Sequence, residues 1–203
     1  MCNLCALCVS VVPDLIPQRK LFPAFFMIFQ IRHAQMEDIP AIADLIRDSV
    51  SVLSLPYYTA KQIDSALAHV FGPDTQLILD GTYFVAETGN KIAGSGGWSR
   101  RKTLFGGDQA KSVADPLLDP AKDAARIRAF YVHPTWSRKG VATKILTACE
   151  DAARLAGFSR IELAATLPGE PLYLARGYRK CEPISIETPD GESLPAFRME
   201  KEI

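Results

Sequence analysis

From Met27 to Ala34 the run MIFQIRHA alternates apolar and polar residues, the period of a half-buried strand. MEDIPAIADLIRDSV then places Ile39, Ile42, Leu45, Ile46 and Val50 on one helical face, with Glu37 and Asp38 at the start and Pro40 early enough to be tolerated. A second helix fits TAKQIDSALAHV, capped by Thr59 and ended before Gly72-Pro73. TYFVAET and KIAGSGGWSR, split by Gly89-Asn90, predict a hairpin. Arg101 to Ala124 has little periodicity and is expected to be a long surface loop. RIRAFYVH predicts a central strand. After it, Val141, Ile145, Leu146, Cys149, Ala152, Ala153 and Ala156 form the apolar side of a helix stopped by Gly157. RIELAAT is a further strand, PGEPLYLARG a short helix, and YRKCEPISIE and PAFRMEKE two closing strands around a turn at Pro189-Asp190-Gly191. This order predicts an α/β (α+β) domain with a mixed sheet.

Composition narrows the setting. The 203 residues, 48% hydrophobic, suffice for one domain with a core, and no internal repeat divides them. The expected organisation is a poorly ordered extension over 1–26 and one domain over 27–203. Lys+Arg and Asp+Glu balance at 23 each, which removes the broad basic footprint of a nucleic-acid or anionic-membrane binder, so any anion site is local. The longest apolar run, Leu21 to Phe29, is broken by Pro23 and falls short of the roughly 18 residues a membrane span needs. No basic residue precedes Arg19, as a secretory signal would require, and the expected location is cytoplasmic. Five cysteines are an odd number for a disulfide framework and fit a reducing compartment. Cys2, Cys5 and Cys8 have iron–sulfur or zinc spacing, but no fourth ligand lies near, and no metal is expected.

Two glycine-rich runs are near misses for nucleotide motifs. Gly94-Ser95-Gly96-Gly97 has Ser99 at the third glycine position of a dinucleotide fingerprint and stays strand-like. Lys102-Thr103 is preceded by Arg101 where a P-loop needs glycine. These glycines instead permit a bend or a close backbone approach. A different feature points to an anion. Ser137-Arg138-Lys139-Gly140-Val141-Ala142 places two basic residues at a helix start, where the dipole favours negative charge and the first amides lack partners. Gly140 and Ala142 leave those amides open to a phosphate.

With Val132-His133-Pro134 before it, this stretch resembles the helix-start signature Gln/Arg-x-x-Gly-x-Gly/Ala of the GNAT superfamily of acyl-CoA-dependent N-acetyltransferases. Ser137 departs from its first position. PLYLARGY resembles the F-Y-x-x-x-G-F element of the same family, with Tyr173 at the tyrosine and Gly177-Tyr178 closing it. The resemblance spans roughly 27–203 and is most specific between Arg126 and Tyr178.

The resemblance implies a splayed sheet of six to seven strands flanked by about four helices. It implies transfer of an acetyl group from acetyl-CoA to the primary amine of a small molecule or peptide, by direct attack in a ternary complex. Phe130, Tyr131 and Val132 would offer backbone groups to the pantetheine, and Arg138, Lys139, Gly140, Val141, Ala142 and Thr143 would hold the diphosphate. Tyr173 would be the general acid. The base is open among His133, Glu87, Glu162 and a water relay. Cys149, on a helix's apolar side, is a poor nucleophile. Tyr57 and Tyr58 would either wall an acceptor pocket or take exposed or core-filling places, and Arg100, Arg101 and Lys102 would either draw an acidic acceptor or sit on a solvated loop. A homodimer is open, and so is a non-catalytic acyl-CoA sensor or interaction module on the same fold.

Overall fold

A computed structural model describes residues 29–110 and 115–203. The expectations for residues 1–26 and for the three N-terminal cysteines lie outside these. The elements are β1 (Gln30–His33), α1 (Ile39–Leu53), α2 (Ala60–His69), α3 (Thr75–Leu79), β2 (Tyr83–Thr88), β3 (Lys91–Ser99), β4 (Ala125–Val132), α4 (Val141–Leu155), β5 (Arg160–Thr166), α5 (Glu170–Ala175), β6 (Arg179–Glu187) and β7 (Ser193–Glu202). They form one seven-stranded sheet in the order β1-β2-β3-β4-β5-β7-β6. All neighbours are antiparallel except β4 and β5.

Local chemistry explains the helix limits. Thr59 Oγ1 accepts from the Gln62 amide at 3.2 Å and Gln62 Oε1 accepts from the Thr59 amide at 3.0 Å, a reciprocal cap that fixes the start of α2. The first helix begins at Ile39, three residues later than its pattern suggested, because Met36–Asp38 forms a 3-10 turn. There Asp38 accepts from the Gln35 amide at 2.8 Å and pairs with Arg32 at 2.7 Å. The five-residue α3 carries too little periodicity to be predicted, and Asp74 caps it.

Each face of the sheet has its own core. Ile145, Leu146, Cys149 and Ala153 of α4 pack with Ile127, Ile161 and Met199 on one face. Ile42, Ile46 and Val50 of α1 and Ile63 and Ala66 of α2 pack with Tyr83, Val85 and Ile186 on the other. The β3 glycines admit the first of these layers. A Cβ at Gly94 would lie 2.7 Å from Val141 Cγ1, and one at Gly96 would lie 2.4 Å from the Phe130 ring. They mark close approach and not a nucleotide fingerprint.

Two irregularities shape β4. Ser95 pairs with Tyr131 but Gly97 pairs with Arg128, so β4 carries one extra residue at Ala129-Phe130, with Ala129 at φ +52°. Beyond the bulge β4 also leaves β5: the two strands are in register only at Ala125/Ile161, Arg126/Glu162 and Ile127/Leu163, while β5 continues along β7 to Thr166. This is the splayed sheet that the family resemblance implies.

The long loop is anchored from below. Arg128, 4% exposed in a mostly apolar strand, pairs with the buried Asp74 at 2.8 Å, lies 3.5 Å from Asp115 and donates to Gly106 O at 2.7 Å. Gly107 N donates to Val70 O and Asp108 N to Pro73 O, seating residues 106–108 on the turn between α2 and α3. Among the described residues no helix is long and apolar enough to cross a membrane.

Removing one partner of a buried ion pair leaves the other charge uncompensated. Arg128→Met is therefore expected to lower unfolding stability by about 3–5 kcal/mol in denaturant titration. A loss below about 1 kcal/mol would show that the pair does not anchor the loop.

Candidate active site

Where β4 and β5 part, a cleft of about 640 Å³ opens between them, within the usual size range of small-molecule sites. It is lined from both faces of the sheet. Phe130, Val132, Val141 and Leu172 belong to the core under α4, whereas Val50, Phe71, Tyr131 and Ile186 belong to the core under α1 and α2. Leu104 to Gly107 of the anchored loop complete the second side. The cleft thus has walls from both faces of the sheet.

The start of α4 forms one wall. Ser137 N donates to Pro134 O at 3.1 Å, which closes a 3-10 turn, and the chain then takes left-handed conformations at Arg138 (φ +61°) and Gly140 (φ +84°). Lys144 N is the first helical amide with an intrahelical partner, Gly140 O at 3.1 Å. The amides of Arg138, Gly140, Val141, Ala142 and Thr143 donate to no acceptor among the described residues. All five residues line the cleft. The dipole of α4 and the open amides of its first turn make this tip suited to an anion. A Cβ at Gly140 would meet nothing within 4 Å, so glycine is needed there for its backbone angle and not for space. Lys139 is not in the lining; its Nζ lies 4.9 Å from the centre of the Trp136 ring.

Tyr173 lines the same cleft from α5 and is 6% exposed. Its ring meets Phe130 and Tyr178 edge to face, with centroids 6.3 and 5.6 Å away. Its hydroxyl makes no hydrogen bond among the described residues, and burial, with a smaller contribution from Cys149, pushes its pKa well above the usual tyrosine value. Tyr131 is raised likewise, chiefly by burial. Cys149 is fully buried, its thiol directed at Gly96 O at 3.8 Å and its pKa raised by desolvation, which leaves it inert. His133 N donates to Ala93 O across β3, and since successive backbone groups point to opposite sides of a strand, the Val132 amide turns toward the gap.

Several sequence-predicted residues are placed elsewhere. Tyr58 does not line the cleft: it is buried, its hydroxyl donates to Pro195 O at 2.7 Å and accepts from Leu167 N at 2.9 Å, so it braces β7 and the turn after β5. Tyr57, 46% exposed, stays at the cleft wall. The His133 ring lies outside the cleft, in a separate depression beside Asp48 at 3.5 Å, with Nδ1 accepting from Thr135 N at 3.2 Å. Glu87 pairs with Arg32 and Glu162 with Arg126, each at 3.0 Å and outside the cleft. Arg101 is held by Asp80 at 2.6 Å and so serves the loop's structure. The sequence reading missed Ser49 and Leu53 of α1, Leu104 to Gly107, Arg128 and Arg176 as cleft residues. An arginine within the apolar β4 pattern was the available signal for Arg128.

A model of the Acetyltransferase (GNAT) family matches residues 47–178, well over half of the chain, and the chain belongs to that family. Similar solved structures include a GCN5-related N-acetyltransferase from Rhodopseudomonas palustris, 20% identical over 87% of this chain and 99% of that one, with a TM-score of 0.64. PaiA N-acetyltransferase from Thermoplasma acidophilum, in complex with coenzyme A, is 15% identical over 87% and 100% of the two chains, with a TM-score of 0.59. A ribosomal-protein-alanine N-acetyltransferase from Brucella melitensis is 16% identical over 86% and 99%, with a TM-score of 0.57. At these identities the likeness is one of fold. Among curated proteins none is significantly similar in sequence.

Gly140→Ala places a side chain in the left-handed region at no steric contact, so its cost isolates backbone strain. A loss of about 1–2 kcal/mol is expected in thermal or denaturant unfolding. An unchanged midpoint would mean that the loop relaxes out of this conformation.

Proposed function

We propose that the protein is an N-acetyltransferase that moves an acetyl group from acetyl-CoA to a primary amine of a small molecule or peptide. The observation that carries this reading is the cleft walled from both faces of the sheet, with unpartnered amides and Tyr173 lining it with one face's core and a mostly apolar wall of α1 and loop residues on the other. The coenzyme A in the Thermoplasma acidophilum structure lends support to the cofactor class. Here the amides of Arg138 and Gly140 to Thr143 would hold the diphosphate, with the Arg138 guanidinium beside them. The parted edge of β4 at Phe130, Tyr131 and Val132 would take the pantetheine amides. The acetyl thioester is the activated acyl donor.

A neutral amine entering from the α1 side attacks the thioester carbonyl directly, and alignment in the narrow gap supplies much of the acceleration. The Val132 amide, turned into the gap, donates to the oxygen that gains charge. Tyr173 donates its proton to the departing sulfur; its raised pKa keeps it protonated across the neutral range. No carboxylate or imidazole lines the cleft among the described residues, so the amine's proton leaves through water. The same observation favours a second reading, a non-catalytic acyl-CoA-binding module. Free thiol released with any member of an amine panel supports the enzyme, whereas saturable binding without release supports the module.

Tyr173→Phe is expected to leave stability unchanged, since the hydroxyl has no partner, and to lower kcat by about 10²- to 10⁴-fold while acetyl-CoA still binds. Full turnover in the variant would remove the acid role. In pH profiles, kcat/KM should rise about tenfold per unit up to the acceptor amine's own pKa and then level off, with no fall at the ordinary tyrosine pKa. An ionisation between about pH 6 and 8 that stays fixed as the amine is changed would reveal a base on the protein.

A further inference from the structure

Arg176 ends α5 just past Tyr173, and it lines the same cleft as Arg138 and the tip of α4. Its guanidinium is incompletely paired. Among the described residues Nε, shielded from solvent, has no hydrogen-bond partner, and the one hydrogen bond of the head runs from Nη2 to Thr147 Oγ1 at 3.5 Å. No carboxylate pairs with it among the described residues, although most other arginines here have one. Thr147 lies four residues beyond Thr143, so Arg176 sits against α4 about 6 Å along the axis from the open amides. A shielded N–H without an acceptor is unfavourable, and an arginine fork suits a phosphate in both geometry and charge.

We propose that Arg176 is a phosphate-binding residue, a second cationic arm that closes on the nucleotide end of the cofactor from the α5 side while the α4 amides hold it from the other. This rests on the acetyl-CoA reading above. The acceptor that completes Nε–H is a phosphate oxygen, either of the diphosphate or of the 3′-phosphate.

Calorimetric titration of the full-length protein with coenzyme A and with dephospho-coenzyme A, for the unmodified chain, Arg176→Gln and Arg176→Lys, tests this. Arg176→Gln should weaken coenzyme A by roughly ten- to a hundredfold and flatten the dependence of Kd on salt. Arg176→Lys keeps the charge without the fork and should recover part of the affinity and the salt dependence. A loss confined to coenzyme A identifies the 3′-phosphate, and an equal loss with both ligands identifies the diphosphate. Unchanged coenzyme A affinity in Arg176→Gln overturns the proposal. So does an equal loss in both variants with the salt dependence kept, since that marks a structural role. An unmodified protein that binds neither ligand refutes the cofactor reading itself, a result distinct from a failure of Arg176 alone.

Discussion

The architecture turns on two parallel strands that stop pairing after three residues. Backbone N–H and C=O groups need partners, and a central strand normally finds them on both sides. From Arg128 onward β4 keeps β3 but gives up β5, and β5 turns wholly to β7. The extra residue at Ala129 lets this happen, because it breaks the regular ladder and bends the strand where the parting begins. Left-handed backbone at an alanine is unfavourable, and the surroundings hold it: the Tyr83 hydroxyl donates to the Ala129 carbonyl at 3.1 Å, and the Phe130 ring fills the place that a side chain at Gly96 would take. The glycines of β3, the bulge of β4 and the depth of the cleft are one packing solution.

Charge is then distributed sparingly around that gap. The chain has no net charge, and the most buried pair among the described residues, Arg128 with Asp74, is spent on fixing the loop that forms the far wall. In the proposed reading the anion is received by unpaired backbone at the tip of α4, with Arg138 and Arg176 beside it; both arginines line the cleft and make no ion pair among the described residues. Backbone donors cannot lose their polarity with pH, and they suit a polyanion better than a lysine cluster that would also attract nucleic acid. Tyr173 adds a proton held in place by burial.

Much of the fold was legible because periodicity and capping act locally. The limits of β5 and the reciprocal cap of α2 follow from residues within a few positions of one another. The site was legible where backbone geometry mattered, at Gly140 and its neighbours, and less so where side-chain direction decided. His133 directly follows the strand that lines the cleft, yet its ring lies on the side of Asp48. Tyr57 and Tyr58 are adjacent in sequence, but one faces the cleft and the other reaches to Pro195, a contact between residues 137 positions apart that no local pattern encodes. Arg176 was hidden by the motif around it, since attention to Tyr173 and Gly177 passes over a residue between them.

In the proposed reading the open amides around Gly140 receive the cofactor's diphosphate. Amide-resolved NMR of the uniformly ¹⁵N-labelled protein, titrated with coenzyme A, reads those groups one by one. Large, saturable shifts are expected at the amides of Arg138 and Gly140 to Thr143. Saturable binding that leaves those resonances in place while another surface responds would place the diphosphate elsewhere.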